Sequence, residues 1–230
     1  MKLYAAIVMV GSLAATGCTP APAAPTAPDG TALRQPLLAA PGAAPVRNGD
    51  VVHVPFFIQD VNGQPPASSS TPLFEARQHN PILAPDGHQV TLAEFNAVSG
   101  YVSVQCLNDG THVTVHLANL IPQGVYTIWN LVFKAPGFDP SFANLIGLGA
   151  IGASTGAQNV FRASASGEGV VSATTPAGPL SVFGEIGACA PVDLFEWHVV
   201  GVYHIDGQSH GSSTGPAGTA VEQFGFIFRQ

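Results

Sequence analysis

The chain has 230 residues, 46% of them hydrophobic and only 9% charged. Ordinary soluble domains carry about a quarter charged residues, so core material is ample while charge is scarce, and disorder along the whole length is excluded. Seven Lys and Arg against fourteen Asp and Glu leave a formal charge of −7 with no basic stripe to meet phosphates, which argues against nucleic acid as a partner.

At the start of the chain, Met1-Lys2 is followed by thirteen uncharged residues, 3–15. That length fits the apolar segment of a signal peptide and is too short to span a bilayer as a helix. The run closes in Ala15-Thr16-Gly17-Cys18, which resembles the lipobox of bacterial lipoproteins, with Ala15 where that family usually has Leu. In that family the Cys is lipidated and becomes the first mature residue, so the resemblance implies a lipid on Cys18 and a membrane partner through that anchor. Thr19, rather than Asp, follows the Cys, and the resemblance then implies the outer membrane in a Gram-negative cell. An ordinary secretory signal cut near Ala14 or Ala15 is the alternative, and it leaves Cys18 as an exposed thiol.

Residues 18–48 are rich in Ala and Pro, with Pro20, Pro22, Pro25, Pro28, Pro36, Pro41 and Pro45. Repeated prolines remove backbone donors and bar the preceding residue from the helical region, so this stretch reads as a linker with polyproline character. The organisation expected is a signal peptide over 1–17, a linker over 18–48 and one β-sandwich domain over 49–230.

That domain is punctuated by Asn62-Gly63, Asp86-Gly87, Asp109-Gly110 and Asp206-Gly207, dipeptides that accept the positive φ of tight turns. Between them lie runs rich in Val, Ile, Phe, Thr and Tyr, at 51–58, 101–106, 111–119, 125–134, 169–174, 180–183, 194–205 and 220–229. The runs 101–106 and 111–119 are predicted to form an antiparallel hairpin. In the last run Phe224, Phe226 and Phe228 alternate with Gln223, Gly225 and Arg229, placing the aromatic side chains on one buried face. One short helix is predicted from Thr91 to about Val98, because Thr91 and Glu94 have capping-box spacing. Many short strands with one short helix indicate an all-β fold, an antiparallel β-sandwich or jelly roll.

Cys106 and Cys189 are the domain's two cysteines, and in an exported chain they are expected to form a structural disulfide. Residues 147–152 fit GxGxxG and 152–156 fit GxSxG, but neither has the βαβ or strand-to-helix surroundings that its chemistry requires, and both read as flexible loop. Among eight histidines, His112 and His116 share a strand face but stand roughly 13 Å apart, too far to chelate one ion. The HxH spacing of copper–zinc sandwich enzymes is absent, and the only methionines are Met1 and Met9, so no axial Met exists for a blue-copper site. His204, Asp206 and His210 form the one cluster of metal-ligating type, at a strand end opening into a Gly/Ser loop, and their chemistry suits copper or zinc. His198 and Glu196 lie on the same strand face as His204.

Glu185, Asp193, Glu196 and Glu222 are the carboxylates available for acid–base work, at separations the sequence does not define. The segment 124–129, apolar on both faces, reads as core rather than as a sugar-stacking platform. The function expected is that of an exported, lipid-anchored, non-catalytic binding or structural module, with an extracytoplasmic ligand or protein held by loops 138–160 and 204–218. A copper- or zinc-binding protein using His204, Asp206 and His210, and a hydrolase of extracellular polymer, are the alternatives.

Overall fold

The computed structural model describes residues 46–48, 51–136 and 142–230. The expected signal peptide, Cys18 and the linker up to residue 45 lie outside the described residues. No helix among the described residues is long and apolar enough to cross a membrane.

In chain order the first elements are β1 (Val46–Asn48), β2 (Val52–His53), β3 (Ile58–Gln59), β4 (Phe74–Glu75), α1 (Leu92–Phe95) and β5 (Ser99–Cys106). There follow β6 (Gly110–Ala118), β7 (Val125–Phe133), β8 (Leu145–Ala150), β9 (Val160–Arg162) and β10 (Gly169–Pro176). The chain closes with β11 (Gly178–Pro179), β12 (Glu185–Ile186), α2 (Ala190–Asp193), β13 (Glu196–His204) and β14 (Ala220–Arg229). A four-stranded sheet runs β1-β5-β6-β10, and a six-stranded sheet runs β2-β14-β13-β7-β8, with β9 pairing the other half of the β7 edge. Strand pairing in both sheets is antiparallel, so the fold is all-β.

The four-stranded sheet has one wet face. On β6, Val113, Val115 and Leu117 are buried while His112, Thr114 and His116 alternate outward. This period of two is what a half-buried strand requires. Its apolar face meets Tyr126, Ile128, Trp197, Val199, Phe224 and Phe226 of the six-stranded sheet in one continuous core, which makes the pair a sandwich. The β5–β6 hairpin pairs Cys106 with Thr111 as its turn chemistry predicts. Cys106 and Cys189 are joined, with Cα atoms 4.8 Å apart, linking the hairpin to the start of α2.

Several expectations are corrected. The run 51–58 is not one strand: Pro55 starts a 3-10 turn over Pro55–Phe57 that separates β2 from β3. The 180–183 run forms a turn, closed by the Leu180 N–H donating to the Gly184 carbonyl at 2.9 Å. Residues 147–150 belong to β8 rather than to a flexible loop, and α1 ends at Phe95 because β5 begins at Ser99. The capping box at Thr91 and Glu94 is present in both directions, and α2 is a second short helix.

Candidate functional site

β7 is buried along its whole length and β13 along nearly all of it. Their inward residues build the sandwich core. Their outward residues, Trp129, Leu131 and Phe133 on β7 with Val200 on β13, build a second apolar cluster on the outer face of the six-stranded sheet. The 124–129 segment is therefore apolar on both sides because both sides are covered. Trp129 is buried as expected, but on the outer face.

A cavity of about 180 Å³ lies within that outer layer. Trp129, Leu131, Leu148, Val200 and Val202 give it an apolar wall, and Phe57 and Phe142 stack on each other there with ring centres 5.8 Å apart. Arg77, Thr127, Thr214 and Glu222 are its polar members.

Glu222 arrives there through a bulge. Gly201 pairs with Phe224 and Val202 with Glu222, so Gln223 is one residue extra on β14. Such an extra residue breaks the alternation locally and re-aims its neighbours. The side chains of Val221 and Phe224 enter the core, whereas Glu222 faces the cavity. Gln223, expected on the face opposite the phenylalanines, instead turns into the core. Its amide donates to the Phe95 carbonyl at 2.8 Å and accepts from the Tyr126 hydroxyl at 2.9 Å.

Glu222 is half-buried as a residue, but its Oε1 is closed off from solvent and has no hydrogen-bond partner among the described residues. Burial pushes its carboxyl up to about 8, so it is protonated at neutral pH. Arg77 does not neutralise it. The Arg77 guanidinium is held by the buried Glu75 carboxylate at 2.7 Å and by the Ala220 carbonyl at 3.1 Å.

At one end of the same face, Thr127 takes the indole N–H of Trp129 at 2.8 Å and lies 2.8 Å from His204 Nε2. His204 and His198 are both buried, and desolvation holds each imidazole down at about 4. The structure brings His204, Asp206 and His210 together, with ligand atoms within 4.8 Å of one another. It does not bring Glu196 and His198 to them: those residues lie eight and six positions back along β13, roughly 26 and 20 Å away at strand rise. Glu196 is occupied by Arg229 at 2.6 Å and by His198.

Of the other carboxylates, Asp193 accepts the Cys189 N–H at 2.8 Å and Glu185 is exposed, so neither joins Glu222. Ser154 sits in a turn beyond β8, not on a strand-to-helix elbow. The cavity is what sequence reasoning missed. Its available signal was that residues 125–133 are largely apolar on both faces and that 196–204 carry apolar residues, Val200 and Val202, on the outer face as well, which calls for a covering layer there. No protein-family model, curated protein or solved structure matches this chain.

Proposed function

We propose that this chain is an exported, non-catalytic binding module that takes a small apolar molecule with one hydrogen-bond acceptor into the outer-face cavity. The single observation behind this reading is Glu222, a buried carboxyl with an unpartnered oxygen among apolar walls. A buried polar group left unmade costs about 1–3 kcal/mol, and a ligand acceptor recovers that cost once the carboxyl turns its proton from the closed-off Oε1 position towards the cavity. A site with an apolar body and one aimed polar group is the usual design of a small-molecule pocket. The size suits a single ring, since an apolar cavity of about 150 Å³ holds benzene. Anchoring through Cys18, with the Pro-rich residues ahead of β1 as the tether, puts such a module at the cell envelope, the outer membrane if the cell is Gram-negative.

Acetophenone and ethylbenzene are suitable probes because they share a ring and differ in the carbonyl acceptor. A ligand that binds only the native state raises the melting temperature. At pH 6 acetophenone is expected to raise it and to bind roughly tenfold more tightly than ethylbenzene, in line with the value of one buried hydrogen bond. Equal effects of the two would remove Glu222 from the recognition, and no effect of either would remove the cavity.

A further inference from the structure

A second site lies where β13 ends. The Asp206-Gly207 turn closes by the Gly207 N–H donating to the His204 carbonyl at 3.1 Å, and Asp206 Oδ1 accepts the Gln208 N–H at 3.0 Å. That leaves Asp206 Oδ2 aimed at His210, 3.2 Å from its Nε2. The backbone at Gly215, φ +77°, packs directly on the His210 ring, where a Cβ would fall 2.3 Å from Cδ2. The loop thus brings Asp206 and His210 together, and the His204 and His210 ring centres are 5.8 Å apart.

The independent observation is His204 itself. It is only 1% exposed, and its Nδ1 is buried with no partner among the described residues. Nε2 is taken by Thr127 Oγ1. When Nε2–H donates to that oxygen, Nδ1 keeps a bare lone pair. A ring nitrogen held by an oxygen so that the other is presented to an ion is the usual support of a metal-ligating histidine.

We propose that His204, Asp206 and His210 bind one divalent ion of borderline softness, zinc or copper(II), with the fourth position open. Two imidazoles and a carboxylate suit those ions and not calcium or magnesium, which prefer all-oxygen shells. Ligands of a tetrahedral ion at 2.0–2.1 Å sit about 3.4 Å apart, so the widest gap in the cluster closes by roughly 1.4 Å at most. The half-exposed His210 and exposed Asp206 supply that movement while His204 stays fixed by Thr127. His204 and Asp206 also border a hollow of about 370 Å³, which gives an ion its way in.

The test uses the full chain, untagged and stripped with chelator, titrated with zinc and with cobalt(II) as a spectroscopic substitute. One equivalent is expected, with tetrahedral cobalt absorption displaced by zinc and a raised melting temperature. His210→Ala and Asp206→Asn, both in the loop, are expected to weaken binding at least tenfold while melting in chelator as the parent does. Thr127→Val is expected to weaken it about 10- to 100-fold by releasing the ring. No stoichiometric binding would overturn the proposal. So would one equivalent held equally well by His210→Ala, which would put the ion on other histidines.

Discussion

Glu222 occupies an apolar cavity only because Gln223 is inserted opposite a single residue of β13, so the chemistry of the site depends on one residue of register. Its carboxyl carries a stability consequence. With a folded value of about 8 against 4.5 for an ordinary Glu, the folded chain holds a proton that the unfolded chain releases between those pH values. Stability from this group is full below about pH 4.5 and is lost as pH rises through 8. His198 and His204 act in the other direction. Held at about 4 against 6.5, they take up protons on unfolding, and their contribution is lost as pH falls from 6.5 towards 4. Urea unfolding across pH 4 to 9 is expected to show a maximum between the two limbs. Glu222→Gln is expected to flatten the alkaline limb above pH 6.5, by a few kcal/mol at most, and to steepen the acid limb between pH 4.5 and 6.5, where the carboxyl opposes the histidines. Identical alkaline limbs would place the carboxyl in solvent.

At the scale of elements, local signals are clearest where local chemistry decides. Asp109-Gly110 gave the β5–β6 hairpin, and Thr91 with Glu94 gave the start of α1. The His204, Asp206 and His210 cluster was legible because all three lie in one turn-bearing segment. The bulge at Gln223 was not legible. Alternation of Phe224, Phe226 and Phe228 sets the face of the second half of β14, while the first half obeys contacts made elsewhere, with Phe95 and Tyr126. Those contacts tie α1 to both β7 and β14. Gln223→Ala takes the amide donor from the Phe95 carbonyl and the acceptor from the Tyr126 hydroxyl, which keeps only the Ile121 N–H, and is expected to cost about 1–3 kcal/mol in urea unfolding. A loss below roughly 0.5 kcal/mol, the level of an ordinary surface substitution, would mean that the bulge is held by the sheet alone.

For the whole molecule, composition gave the all-β class, because short β-branched runs separated by Gly turns leave no other way to bury so many apolar residues. It did not give the second apolar layer, since which segment covers the outer face of a sheet is a long-range matter. Phe57 and Phe142, far apart in sequence, meet only in the fold. The anchor proposed at Cys18 predicts that Cys18→Ser moves the protein from the membrane fraction to the soluble one, and an unchanged membrane fraction would contradict it.

The central claim is that a protonated Glu222 recognises a ligand acceptor inside the outer-face cavity. It is tested most directly by the affinity for acetophenone at pH 6 and at pH 9.5, in the parent chain and in Glu222→Gln. Arg77, the other charged member of the cavity among the described residues, is common to both chains, so the comparison of parent and variant isolates Glu222. The parent is predicted to bind at least tenfold more weakly at pH 9.5, where the carboxyl has lost its proton, while the Gln variant, whose amide donates at any pH, binds equally at both. Equal parent affinities at the two pH values, or no binding at either, would contradict it.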